Sequence, residues 1–251
     1  MKISIITICF NNEKDIRLTL ESVINQTYND IEYIIVDGSS TDSTLNIIKE
    51  YEIEKVISEP DRGLYDAINK GINIATGDIV GLIHGGDLLY SETTIKKIAE
   101  HFEKNDIDAL YGNSKIISED GTTIIRINKS PIFKKKLFKR GWFPSHQSFY
   151  AKRSLFKKYG LYNLKYRIAA DYELLLRFLY CNSPKVKLLD EYIVKFRLGG
   201  TSTKSIKNII IQNRECIQAW KDNGLKMPFY TIPMKLIRKL QQFAKAKFYV
   251  S

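Results

Sequence analysis

Polar residues able to do chemistry recur in this sequence directly after short β-branched apolar runs. Phe10-Asn11-Asn12 follows the run at 2–9, and Asp37-Gly38-Ser39-Ser40-Thr41-Asp42 closes the run at 32–37. Glu59-Pro60-Asp61-Arg62-Gly63 follows 55–58, and His84-Gly85-Gly86-Asp87 follows 78–83. A carboxylate such as Asp37 can accept hydrogen bonds from a base or a ribose. Arg62 can neutralise a phosphate, and Asp87 offers a hard oxygen ligand to a divalent cation. Residues 121–170 contain no Asp or Glu but 13 Lys or Arg, and Asp171 ends that stretch. An Asp before the helical pattern at 172–180 is also a good helix cap.

Competing chemistries lack their signatures. No G-x-G-x-x-G follows the first run, no G-x-x-x-x-G-K-[ST] loop is present, and His84, His101 and His146 show no H-E-x-x-H spacing. Cys9, Cys181 and Cys216 form no C-x-x-C pair, which argues against a zinc site or a disulfide framework and fits a reducing cytosol.

Elements that could position these residues alternate along the first half. Strands at 2–9, 32–37, 55–58 and 78–83 are separated by helices through Ile16–Ile24, after Thr41 or Asp42, over Leu64–Ile74 and from Ser91 through Phe102. That order predicts an α/β fold with a doubly wound, mostly parallel sheet, and ligands there bind beyond the carboxyl ends of the strands. After Ala109 the pattern changes. A hairpin is expected around Glu119-Asp120-Gly121, then a basic loop with a short helix, a strand at 148–151, the helix at 172–180 and strands at 186–189 and 192–196. From Ser205 the chain reads as mainly helical, interrupted by Gly224, Pro228 and Pro233.

The sequence resembles glycosyltransferase family 2, whose fold is of the GT-A type. Ile5-Ile6-Thr7-Ile8-Cys9-Phe10-Asn11-Asn12, Tyr33-Ile34-Ile35-Val36-Asp37-Gly38-Ser39-Ser40-Thr41-Asp42 and Ser58-Glu59-Pro60-Asp61-Arg62-Gly63-Leu64-Tyr65-Asp66 carry the resemblance. Ser145-His146-Gln147-Ser148 and Ala169-Ala170-Asp171-Tyr172-Glu173 continue it in the same order. The most similar branch is the bacterial enzymes that build cell-surface polysaccharides. The resemblance implies that Thr7 and Phe10 cradle a nucleobase and that Asp37 bonds its edge. Asn12, Asp61, Arg62 and Gly63 then belong to the nucleotide-binding loops. It also implies that Asp87 is the last acid of a metal-binding motif for Mn²⁺ or Mg²⁺, and that Asp171 is the general base of an inverting hexosyl or N-acetylhexosaminyl transfer. His84 is a possible nitrogen ligand or a packed residue, and His146 and Gln147 fall near the acceptor or the diphosphate. The family motif usually holds two or more acids, whereas His84-Gly85-Gly86-Asp87 holds one.

The implied organisation is a catalytic domain over 1–203 and a basic helical extension over 204–251. The domain divides into a nucleotide-sugar-binding half (1–109) and an acceptor-binding half (110–203). A net charge of +11 over 251 residues favours an anionic partner. A nucleotide-diphosphate sugar, UDP-linked before GDP- or dTDP-linked, and an anionic glycan or lipid-linked acceptor fit that balance. Nucleic acid is disfavoured because no recognition motif is present. A sugar-nucleotide nucleotidyltransferase remains an alternative, but 10–13 lacks its Gly-rich basic loop. No run of about 18 apolar residues occurs. Lys235, Arg238, Lys239, Lys245 and Lys247 alternate with Leu236, Ile237, Leu240, Phe243, Phe248 and Tyr249 as in helices that lie on anionic membranes. The expected location is cytoplasmic, with peripheral attachment to the inner face of the plasma membrane, or with the apolar face of that helix packed on the catalytic domain or on another subunit.

Overall fold

The structure is a computed structural model and describes residues 1–118, 121–197 and 206–238. The chain runs β1 (Ile3–Cys9), α1 (Ile16–Ile24), β2 (Ile31–Asp37), α2 (Thr44–Ile48), β3 (Lys55–Ser58), α3 (Leu64–Ile74), β4 (Ile79–His84), β5 (Leu88–Leu89) and α4 (Thr94–Lys104). It continues β6 (Ala109–Ile117), β7 (Ile124–Asn128), α5 (Lys136–Lys139), β8 (Phe149–Lys152), α6 (Arg153–Tyr159), α7 (Ala170–Leu175), β9 (Val186–Arg197) and α8 (Ile206–Asp222). The strands form one sheet in the order β3-β2-β1-β4-β8-β6-β9-β5, with β7 added to β6. β1, β2, β3 and β4 pair in parallel, and the β6–β9 ladder is parallel too. β8 is antiparallel to both β4 and β6, and so joins the two halves.

Both faces of the parallel half are covered, as its unbroken apolar strands require. Ile6 and Ile8 of β1 pack with Ile34, Val36 and the α3 residues Ala67, Ile68 and Ile72. Ile3 and Ile5 face the other way, onto Val23 and the α4 residues Ile95, Ile98 and Ala99. The period-2 alternation of a strand makes this division. At the junction the Tyr150 ring lies on Gly81. A Cβ there would stand 2.1 Å from Tyr150 Cε1, so only glycine lets β8 settle against β4.

The second half departs from the sequence reading in three places. The strands expected at 186–189 and 192–196 are one, β9, whose register shifts beside Asn113 where it passes β6. The helix from 170 is α-helical to Leu175 and then widens into a π-helical turn, Leu176–Cys181. Pro233 does not interrupt a helix; it sits in the first turn of the helix at 231–238, where its missing N–H leaves no hydrogen bond unmade. Glu119, Asp120, Leu198–Ser205 and residues from Lys239 onward lie outside the described residues, so the hairpin tip, the 203 boundary and most of the basic amphipathic pattern do too. No helix among the described residues is long and apolar enough to cross a membrane.

The stretch read as an extension shares the main core. Cys216, Ala219 and Trp220 of α8 are buried in the same cluster as Tyr172, Leu175 and Leu176 of the α7 segment. Trp220 Nε1 donates to the Tyr172 hydroxyl at 2.6 Å.

Candidate active site

The loops after β1, β2 and β3 converge. Asp37, fully buried, ends β2; Ser40 N donates to its Oδ2 at 2.9 Å and Ser58 Oγ to the same oxygen at 2.7 Å, while Ser40 Oγ bonds Oδ1. Asp37 therefore ties the β2 and β3 loops together. A Cβ on Gly38 would lie 2.6 Å from Asp61 Oδ2 and 3.4 Å from Phe10 Cδ2, so this glycine lets the three loops close. Phe10 presents an exposed aromatic face there, 58% accessible. Asp61 Oδ1 accepts Gly63 N–H at 2.7 Å. The exposed Arg62 side chain touches Asp66 at 3.3 Å, with most of its guanidinium in solvent. An exposed ring, a carboxylate and an extended cation at adjacent strand ends can take a base, a ribose and a phosphate in that order.

Thr7 and Asn12 have inward roles. Thr7 is fully buried, its hydroxyl 2.9 Å from Tyr33 Oη. Asn12 Oδ1 accepts Phe10 N–H at 3.0 Å, and Asn12 N–H donates to Thr44 Oγ1 at 2.7 Å. Asp42 accepts the N–H groups of Glu13 and Thr44, at 3.1 and 3.0 Å, and so shapes the start of α2.

Because β8 runs antiparallel to β4, its first residue lies near the carboxyl end of β4. The 3-10 turn His146–Ser148 precedes it and is delivered to that end. Its two leading side chains point to two different carboxylates. Gln147 Nε2 donates to Asp87 Oδ2 at 2.6 Å. His146 Nδ1 faces Asp171 Oδ2 at 3.4 Å, and His146 Nε2 meets His84 Nε2 at 2.8 Å. Tyr65, at the start of α3, brings its hydroxyl to 3.2 Å from Asp171 Oδ1. One short turn thus joins the segment after β4 to the start of α7.

The electrostatics separate the two acids. Burial pushes the Asp87 carboxyl up to about 7, against the opposing pull of Arg197 N–H (3.1 Å) and Gln147. Burial also raises Asp171, but His146, the Tyr172 N–H and Tyr65 outweigh it and hold this carboxyl below its ordinary value. Asp171 keeps a fifth of its side chain open to solvent, so it is charged and reachable. Burial and His146 bring His84 down to about 3, so its ring is neutral. His146 Nδ1 approaches Asp171 at ion-pair range without closing a hydrogen bond, and His84 Nδ1 too is buried without a partner; if a tightened contact lets His146 give Nδ1–H to Asp171, its Nε2 accepts from His84. The network, rather than any observed hydrogen, sets this tautomer.

No group of three or more His, Cys, Asp or Glu side chains among the described residues could hold a metal. The residues present fit a cation held in part by a ligand. Asp87 is a buried carboxylate short of compensating charge, and His84 Nδ1 is a buried nitrogen without a hydrogen-bond partner. Phosphate oxygens and water would complete such a sphere.

Residues 4–164 match the family described as Glycosyl transferase family 2. The chain belongs to that family. A glycosyltransferase of PGL/p-HBAD biosynthesis from Mycobacterium bovis is 35% identical over 164 residues, which is 63% of this chain and 62% of that protein's length. Among solved structures, S. aureus TarS in complex with UDP-GlcNAc superposes with a TM-score of 0.66 at 20% identity, covering 98% of this chain and 81% of that one. The mannosyltransferase PcManGT from Pyrobaculum calidifontis, in complex with GDP-Man and Mn²⁺, gives 0.65 at 15% identity, covering 98% and 73%. These two share the GT-A fold with this chain. In this chain the segment His84-Gly85-Gly86-Asp87 holds one acid, and α8 lies beyond the matched residues.

Sequence reasoning missed Tyr65 as a partner of Asp171, although its place beside Arg62-Gly63 at a helix start was a usable signal. It also missed the Asp15–Arg197 ion pair beside Asp87, which joins residues 182 positions apart and has no local signature.

Proposed function

We propose that this protein moves a sugar from a nucleoside-diphosphate sugar, UDP-linked, to a hydroxyl of a glycan or lipid-linked acceptor in cell-surface polysaccharide synthesis, with inversion. The observation that carries the reading is the His146–Gln147 turn, which places the carboxylate beside the donor loops and the carboxylate at the head of α7 on either side of one site. Nucleotide-sugar complexes of two proteins of the same fold, one with UDP-GlcNAc and one with GDP-Man and Mn²⁺, support the donor class. Phe10 stacks on the base, Asp61 takes its edge and the ribose, and Arg62 with Gly63 meets the diphosphate, while Asp37, its oxygens held by Ser40 and Ser58, fixes the loops around them. Thr7 and Asn12 hold the loops from beneath.

Asp171 accepts the proton of the acceptor hydroxyl as that oxygen bonds to the anomeric carbon. The bond from that carbon to the diphosphate breaks on the opposite side, and its electron pair leaves with the nucleotide. His146 and Tyr65 fix the two carboxylate oxygens for this step. Asp87, with His84 as a second ligand, would hold a divalent cation whose charge offsets that of the leaving diphosphate.

A thermal-shift panel of nucleoside diphosphates and sugar nucleotides, with and without Mn²⁺, tests the donor site. UDP and UDP-sugars should stabilise the chain, and Mn²⁺ should add to the shift. No stabilisation by any nucleotide would remove the donor reading. With Asp87 pushed up to about 7, the cation must displace a proton below that pH, so the Mn²⁺ effect should grow as pH rises from about 6 to 8. Asp87→Asn should abolish this growth; an unchanged Mn²⁺ response in that variant would place the cation elsewhere.

An apolar groove of about 690 Å³ lies between α8 and residues 225–232, lined by Ile210, Ile217 and Phe229 with Arg214, Lys221 and Lys226. Phe229 is 92% exposed. This surface suits an anionic membrane that carries the acceptor. Flotation with anionic vesicles should recover the parent and lose a Phe229→Ser/Lys226→Glu double variant; equal recovery would discard the membrane contact at this groove.

A further inference from the structure

Glu215 stands on α8, outside the residues that match the family. Its carboxylate accepts three consecutive backbone N–H groups. Oε1 takes Arg167 at 2.8 Å, and Oε2 takes Ile168 at 2.9 Å and Ala169 at 2.8 Å. These residues lead directly into α7, of which Asp171 is the second residue. The Ile168 peptide is gripped from its other side as well: its carbonyl accepts the Tyr65 hydroxyl at 2.7 Å, the same hydroxyl that lies 3.2 Å from Asp171 Oδ1. Tyr166 Oη donates to Asp222 Oδ2 at 2.6 Å, which ties the approach to α7 to the far end of α8.

Three N–H groups in a row need an acceptor, and charged acceptors make the stronger bonds. No Asp or Glu precedes them within 121–170, and the nearby Asp171 and Glu173 are turned to Tyr65 and to Arg177. The acid comes from 48 residues further on, the separation of Glu215 and Arg167. We infer that Glu215 is a positioning residue for Asp171. It fixes the peptide planes at 167–169, and through them the place of the Asp171 carboxylate against Tyr65 and His146. The C-terminal helix is then a part of the catalytic apparatus. This inference rests on Asp171 being the base.

The test compares Glu215→Ala and Glu215→Gln in the full chain, each alone and combined with Asp171→Asn, by kcat, donor KM and the pH dependence of kcat. Misplacing a reacting group by about 1 Å costs on the order of 10²-fold, so Glu215→Ala should lower kcat by that order while donor KM stays within about twofold. Glu215→Gln, of the same length and still with one acceptor oxygen, should recover part of the loss. In both variants the lower acid limb of kcat, the one set by Asp171 beneath the limb that Asp87 gives near neutral pH, should move to higher pH, because the contacts that hold the Asp171 carboxyl low are loosened. In the Asp171→Asn background neither change should lower kcat further. An unshifted acid limb in a folded Glu215→Gln protein overturns the inference. So does a loss in which kcat and donor affinity fall together with Tm. If Asp171→Asn proves inactive while both Glu215 variants are normal, only the positioning role fails; an active Asp171→Asn removes the base and this role with it.

Discussion

Replacing Asp171 by asparagine is expected to lower kcat by about 10²–10⁴-fold, the usual worth of a positioned general base. Donor affinity should hardly change, since the partners of Asp171 are Tyr65, His146 and the Tyr172 N–H and not the loops proposed to bind the nucleotide. The substitution is conservative in shape. Asn Oδ1 can still accept from Tyr65, and an amide N–H facing His146 asks only that the two imidazoles exchange tautomers, His146 Nδ1 becoming the acceptor. The variant therefore separates charge from packing. Steady-state rates with a defined acceptor, alongside calorimetric donor binding, make the measurement. Activity within about twofold of the parent would exclude Asp171 as the base, because a lost base cannot leave the rate intact. The depressed proton affinity of Asp171 also means that it is charged throughout the neutral range, so any fall in rate between pH 8 and about 6 should come from another group, Asp87 being the one pushed into that range.

The second large effect concerns stability at the opposite end of the strands. Glu32, near the start of β2, is buried yet fully partnered. Lys55 Nζ lies at 2.5 Å, Ser4 Oγ at 2.5 Å, Thr76 Oγ1 at 2.6 Å and Thr76 N at 2.8 Å, with Lys2 Nζ at 3.7 Å. One carboxylate binds the first residues of β1, the edge strand β3 and the entry to β4. Glu32→Ala leaves Lys55 and the Thr76 N–H without their acceptor, and should destabilise by about 3–5 kcal/mol, as expected for breaking a buried pair. Burial alone would raise the Glu32 carboxyl, but Lys55, Ser4 and Thr76 prevail and hold it far below the usual range. A lowered folded-state pKa gives stability that is complete above the unfolded value, about 4.3 for Glu, and is lost as pH falls below it. Urea titrations at pH 7 and pH 3 should therefore show a smaller acid-induced loss in Glu32→Ala than in the parent. Equal losses would show that Glu32 does not carry this linkage. Donor binding by the folded fraction should persist, since Glu32 and Asp37 are separated by roughly 16 Å of extended strand.

Much of the donor half was legible because its signals are local. Strand-end composition marked the loops around Asp37 and Asp61, and β3 and α3 have the limits that their periodicity predicts. The second half was less legible because its determinants are distant in sequence. β8 looks like any short apolar run, and only its insertion between β4 and β6 brings His146 and Gln147 to the site. The low proton affinity of Asp171 illustrates the same limit. His146, a backbone N–H and Tyr65 supply it, and of these only the Tyr172 N–H is near in sequence. The Lys and Arg residues of 121–170 are spread over the surface, Lys152 on Asp108 and Lys129 on Asp190 among them.

Among the described residues the short strand β5 pairs only with β9, and the backbone N–H of Arg197, the last residue of β9, adds to the environment of Asp87. During synthesis the two partners leave the ribosome far apart in time. At about 5–20 residues per second, the interval between Leu89 and Arg197 is on the order of ten seconds. Residues 1–89 can form the parallel core of β1 to β4 in that interval, while Asp87 waits without its final neighbours. Nascent chains halted before β9 should thus carry a folded nucleotide half with an unfinished Asp87, so binding competence would precede catalytic competence in the life of each molecule.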